Sequence, residues 1–194
     1  MAYGKIIPGL TINGKPAPYG VINERKVRAG AGIMFALGFF AFLTMYYERD
    51  FWIAFVVVSL FWVDFILKVF FGPEKSLFGF FGGMLVKNQK PEYVGAIQKR
   101  FAWSIGLGMS SVVLGFIVYQ LFLTSGCAMA SSLGGSSCMI PFLFCGICLV
   151  FMWLESAVGF CVGCWIYTYL VKKGVIASPE YAPACPGGVC DTKE

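Results

Sequence analysis

Histidine is absent from the 194 residues, and Asp, Glu, Lys and Arg together supply only 13% of them. Soluble domains carry about a quarter charged residues, so the shortage points to a membrane environment. Without histidine there is no bis-histidine haem, no His-ligated zinc or copper, and no Ser-His-Asp or Cys-His catalysis. What is abundant is apolar: 58% of residues are hydrophobic and 18% aromatic, with 20 Phe, and the mean hydropathy is +0.76. Such an aromatic share suits side chains facing lipid. Eight cysteines remain as the most chemically capable residues.

Crossing a hydrocarbon core of about 30 Å takes roughly 20 largely apolar residues. Four runs qualify: 29–47, 51–71, 101–124 and 141–170. They predict an all-α, four-span transmembrane helical bundle (29–171), preceded by a polar segment (1–28) and followed by a cysteine-containing tail (172–194). The fourth run is long, reaching about 45 Å as one helix, so it should tilt, kink or protrude. Residues 75–86 are apolar but too short to cross, and predict an interfacial segment between spans 2 and 3, broken by Gly79, Gly82 and Gly83. No internal repeat is evident, and no cleavable signal peptide is expected.

Thirteen basic residues flank the spans on one side: Lys5, Lys15, Arg25, Lys26 and Arg28, then Lys75, Lys87, Lys90, Lys99 and Arg100, then Lys172, Lys173 and Lys193. The other side offers only Arg49. This asymmetry places both termini in the cytoplasm. The net charge of +5 is therefore a topology signal; it favours anionic lipid headgroups as partners and gives no reason to expect nucleic acid.

Three stretches carry a resemblance: Val21-Ile22-Asn23-Glu24-Arg25, Lys99-Arg100-Phe101-Ala102, and Gly159-Phe160-Cys161-Val162-Gly163-Cys164 followed by Ile166-Tyr167. With these the chain resembles a family of bacterial four-helix integral membrane proteins of unknown function, whose signature is an FCxGC motif near the end of the last span. The resemblance covers roughly 21–170 and implies a bacterial inner-membrane location. Cys127, Cys138, Cys145, Cys148, Cys185 and Cys190 lie outside that signature.

The cysteines fall into four pairs. Cys127 and Cys138 sit in a Gly/Ser-rich extracytoplasmic loop and are candidates for a structural disulfide. Cys145 and Cys148 follow Pro141, a residue suited to the first turn of a helix, where the dipole favours a thiolate; simple packing is the alternative. Cys161 and Cys164 share a face further down the same helix. On an unbroken helix the two CxxC units would be about 24 Å apart and rotated by about 160°, which forbids direct exchange without a carrier or a break at Gly159 or Gly163. That separation also excludes one metal site built from both units. A four-thiolate site from Cys161, Cys164, Cys185 and Cys190 is the less favoured alternative to a free tail pair. No resident cofactor or metal is expected, and no residue pattern identifies a quinone site.

Three ionisable residues interrupt the spans. Asp64 and Lys68, four apart, can pair as a structural latch. Glu155 has no partner on its own helix, but Cys145, Cys148, Met152 and Glu155 form one stripe. A carboxyl there can relay a proton, or hydrogen-bond Ser104, Ser110 or Ser111. Two functions follow. One is thiol–disulfide or persulfide redox handling through Cys145, Cys148, Cys161 and Cys164, with a thioredoxin-like or sulfurtransferase-like partner. The alternative is a non-catalytic subunit docked on neighbours in a membrane complex. Transport of a small sulfur species or ion ranks last.

Overall fold

The computed structural model describes residues 3–12, 15–16, 18–48, 51–123 and 136–177. Two-residue strands β1 (Thr11–Ile12) and β2 (Lys15–Pro16) pair antiparallel near the start. Strand β3 (Val21–Asn23) pairs antiparallel with the distant β4 (Tyr93–Gly95), Ile22 opposite Val94. The chain is otherwise mostly helical, so the expected all-helical architecture acquires two short ladders.

Those ladders decide where the long helices begin. Asn23 ends β3 and caps α1 (Glu24–Tyr47), its Oδ1 accepting from the amide N–H of Arg25 at 3.1 Å; asparagine is among the preferred N-caps. The same Oδ1 accepts from the Glu92 amide at 3.3 Å, and Arg25 pairs with the Glu92 carboxylate. Helix α1 therefore starts five residues before the apolar run at Ala29. In the same way β4 leads straight into α4 (Ala96–Val118), ahead of the expected start at Phe101.

Helix α2 (Phe51–Ile66) ends in a π-helical turn, Leu67–Phe71, then Gly72 at φ +99°, a 3₁₀ turn at Pro73–Lys75, and the short helix α3 (Leu77–Leu85). Helix α4 also runs into a π-helical turn, Tyr119–Leu123. Helix α5 (Ser136–Trp153) ends in a π-helical turn, Leu154–Val158, then Gly159 at φ +76°, and the short helix α6 (Val162–Lys172). The fourth run is thus not one helix: its two parts are bent by 93° at the break. Three helices are long and apolar enough to cross a membrane, Glu24–Tyr47, Phe51–Phe71 and Ala96–Phe122, and the bent pair makes a fourth if counted as one span.

No repeat is visible in the residues, yet one exists in the elements. Strand, long helix, long helix, π-turn, positive-φ glycine and short helix occur in that order twice. The packing repeats as well. Helix α1 packs on α3 as α4 packs on α6, and α2 packs on α4 as α5 packs on α1. Between the halves lie buried clusters such as Met45, Phe51, Ala54, Val113 and Ile117. Large apolar side chains including Phe40, Trp52, Phe70 and Phe122 point outward, as a lipid-facing surface requires.

A buried dithiol at a helix break

An apolar run such as 154–166 would continue as helix without interruption; Gly159 stops it. Its left-handed conformation suits glycine, and its amide donates back to Leu154 O. A Cβ there would lie 2.8 Å from Cζ of Arg28, so the guanidinium packs directly over the turn. The chain then re-enters a helix at Cys161, which is extended (φ −94°, ψ 101°) and occupies the N-cap of α6. Its Sγ accepts from the Cys164 amide at 3.4 Å. Gly163 brings α6 onto α4: a Cβ on it would sit 2.5 Å from Ala102 Cβ, the close approach that small residues permit between helices.

Both thiols are free and buried, Cys161 7% exposed and Cys164 2%. Beside them is Lys99, four residues past β4 on α4 and 1% exposed. Its Nζ is 2.8 Å from Glu155 Oε1, and it acts electrostatically on both sulfurs. Glu24, buried at the start of α1, lies within electrostatic reach of Lys99 and Arg28. Lys99 and Glu155 therefore lie beside the CxxC unit, with Arg28 over the turn before it and Glu24 within reach of both cations.

A cavity of about 140 Å³ runs up from this place. Cys145, Cys148, Met152 and Glu155 line it from one side, and Cys161 lines it beyond the break. The helix is not unbroken: it bends at Gly159, the break that the spacing argument allowed for, and Cys161 lines the same cavity as the first pair. Two corrections concern the fourth run. Helix α5 starts at Ser136, so Pro141 does not open it and Cys145 lies well past its first turn; the N-terminal position belongs to Cys161 instead. Glu155 bonds none of the three expected serines. Ser110 and Ser111 donate to Leu107 O and Ser104 to Arg100 O, while Glu155 pairs with Lys99.

Asp64 and Lys68 pair at 2.7 Å with both side chains buried. Asp64 Oδ1 also accepts from Ser76 Oγ at 2.9 Å and from the Phe78 amide at 3.1 Å, so this carboxylate anchors the start of α3. Lys68 Nζ lies 5.6 Å from the Trp103 ring centroid, a cation–π distance. The pairing of Cys127 with Cys138 lies outside the described residues, as do Cys185 and Cys190; of Cys138 only the helical backbone is described. Among the described residues no group of three or more Cys, Asp or Glu is placed to hold a metal ion.

Lys99, Glu24 and Arg28 escape a reading of the sequence because each looks like an ordinary loop or flank charge. The signal was in their company: Glu24 and Lys99 belong to the same three stretches as Cys161, and the fold brings those stretches together.

These features define a mostly helical protein with three or four helices long and apolar enough to cross a membrane, and a buried dithiol at the N-terminus of a bent-in helix. The chain belongs to the family described as domain of unknown function DUF4395, whose model matches residues 22–172. No curated protein and no solved structure matches the chain.

Proposed function

We propose that the protein is a thiol–disulfide oxidoreductase of the bacterial cytoplasmic membrane, with both termini on the cytoplasmic side, Cys161 as the attacking thiol and Cys164 as the resolving one. The observation that carries this reading is Cys161 at the N-cap of α6, within reach of Lys99. A helix N-terminus stabilises a thiolate, and the Lys99 ammonium adds to this while the Glu155 carboxylate opposes it. Attack by that thiolate on a disulfide gives a mixed disulfide and releases one thiol. Cys164 then attacks Cys161 Sγ, releasing the second thiol and closing the Cys161–Cys164 bond. Glu155 holds Lys99 and faces the cavity as a proton acceptor. Cys145 and Cys148, free thiols on the same cavity, are the pair that reduces the Cys161–Cys164 bond, taking the disulfide onto themselves. A thioredoxin-like or sulfurtransferase-like protein is the expected exchange partner.

The test is trapping. With Cys164→Ala, Cys161 should accumulate as a mixed disulfide resolved by mass spectrometry, and with Cys161→Ala no such adduct should form at Cys164. Equal trapping at both positions, or none at either, would overturn the assignment. The accessory-subunit reading has one observation in its favour, the outward Phe80, Met84 and Leu85 of α3; a defined large complex in mild detergent would select it.

A further inference from the structure

A second cavity, of about 210 Å³, lies at the end of the bundle where α1 and α4 begin and α2 ends. Its wall draws on β3, β4, the start of α1, the π-turn after α2 and the start of α3, and it carries three lysines, Lys5, Lys26 and Lys68. We infer that this cavity binds the phosphodiester group of a membrane phospholipid, independently of the dithiol.

Donors are available on this wall. Lys5 is exposed and Lys26 half-buried, and among the described residues neither has an ion pair. Lys68 is buried, and the one oxygen its Nζ meets among the described residues is Asp64 Oδ2 at 2.7 Å; its other contacts are Met34 Sδ and the Phe65 and Trp103 rings. An ammonium carries three N–H donors, so Lys68 keeps one for a second oxygen. Asn23 lines the cavity as well, and with its Oδ1 taken by two amides its Nδ2 has no partner among the described residues. Charge then selects the ligand. Three ammonium groups, set against Glu74 on the wall and Asp64 beside Lys68, leave one positive charge. A phosphodiester carries one negative charge, whereas a phosphate monoester carries about −1.5 to −2 at pH 7.

The surroundings name a lipid as the bearer of that group. Phe70 and Phe71 stand between Lys68 and Pro73 in the chain, and Leu77 follows Ser76; all three are exposed beside residues of the cavity wall. Phe80 and Met84 of α3 extend this outward apolar surface. An amphipathic ligand can lay its acyl chains there and its phosphate among the lysines, as lipids do in basic pockets between membrane helices. The volume is many times the roughly 10–15 Å³ that one water needs, so the glycerol enters with the phosphate. A fatty-acid carboxylate would fill only part of it.

The full chain, purified in mild detergent and washed free of lipid, is titrated with dioleoylphosphatidylglycerol and followed by native mass spectrometry. One lipid per chain should bind first and tightest. Lys5→Gln with Lys26→Gln should weaken that adduct roughly tenfold or more; Lys87→Gln with Lys90→Gln, exposed after α3, should leave it unchanged. Should the first pair fail to give a monodisperse protein, the lipid added to the wild type should slow acetylation of Lys5 and Lys26 but not of Lys87 and Lys90. No tight adduct, equal weakening by both pairs, or equal protection of all four lysines would overturn the site. Oleate binding as tightly as the phospholipid would overturn the phosphodiester, and displacement of the lipid by an equal concentration of inorganic phosphate would overturn the lipid as its source.

Discussion

The two halves of the molecule build the same corner with different chemistry. In each, a long helix ends in a π-turn, a positive-φ glycine breaks the chain, and a short helix packs back on the first helix of its half. In the first half the cap of the short helix is Ser76, whose Oγ accepts from the Gly79 amide at 2.8 Å. In the second half the same position belongs to Cys161, and Cys164 follows three residues later as Gly79 follows Ser76. The ion pair beside each cap is used differently: the Asp64 carboxylate of the Asp64–Lys68 pair accepts from Ser76, whereas both members of the Lys99–Glu155 pair act on Cys161 through charge alone. The neighbouring cavities differ too. Lys5, Lys26 and Lys68 border the one near Ser76, and apolar side chains with three thiols border the one near Cys161. A hydroxyl beside a carboxylate makes a joint. A thiol beside an ion pair is the group proposed above to react, so on that reading one scaffold carries a structural corner and a chemical one.

The largest effects should come from stripping the two charge pairs. Asp64→Leu leaves the buried Lys68 unpaired and should cost about 3–5 kcal/mol in detergent unfolding; Lys99→Met leaves the partly buried Glu155 unpaired and should cost somewhat less. The second changes separate the halves. Adding Glu155→Leu to Lys99→Met should restore most of the loss, because the two side chains hydrogen-bond each other and neither holds a backbone group in place. Adding Lys68→Met to Asp64→Leu should restore little, since Ser76 Oγ and the Phe78 amide still lose their acceptor. Equal recovery in both double variants would erase the distinction.

Smaller effects are expected where the short helices meet the long ones. A Cβ at Gly82 would meet backbone, Gly30 N at 2.6 Å and Lys26 O at 2.7 Å; at Gly163 it would meet Ala102 Cβ. Either glycine to alanine should cost about 1–3 kcal/mol. Ala102→Gly should relieve part of the loss at Gly163, and no side-chain change should relieve Gly82. The same unfolding assay decides, and full relief at both would show that the two contacts are alike.

Least of all should the caps matter to stability. Ser76→Ala should cost about 1 kcal/mol, the usual loss of an N-cap. Cys161→Ser installs the residue that the first half already uses, so stability should hold within about 0.5 kcal/mol. Mixed-disulfide trapping through Cys161 should nevertheless vanish. A large loss of stability in Cys161→Ser would make that thiol a structural group and weaken its chemical role.

Much of the fold was legible because membranes constrain sequence strongly: apolar length marked the long helices, and i, i+4 spacing put Asp64 beside Lys68. The stripe Cys145, Cys148, Met152 and Glu155 was also readable, since helical periodicity holds from Cys145 nearly to the π-turn. The helix break was not, because hydropathy passes over Gly159 unchanged, and what stops the helix is a backbone conformation with a guanidinium packed on it. Lys99 was hidden by a different logic. Counting basic residues by side treats it as a surface charge, and only the ladder Val21–Asn23 with Tyr93–Gly95 moves the start of α4 far enough back to bury it. The twofold repeat stayed invisible because it preserves the order and packing of elements while replacing Ser with Cys and one ion pair with another.

The π-turn at Leu154–Val158 has a consequence for how such a chain can vary in length. A π-turn holds one residue more than the α ladder would, and each residue advances a helix by about 100°. Deleting one residue there would restore an ordinary helix and swing everything downstream through more than a quarter of a circle, carrying the glycine break and both thiols away from Lys99. Between Glu155 and Cys164 the number of residues sets the phase of the site as firmly as their identities set its chemistry. Single insertions and deletions in that interval should therefore be more damaging than most substitutions.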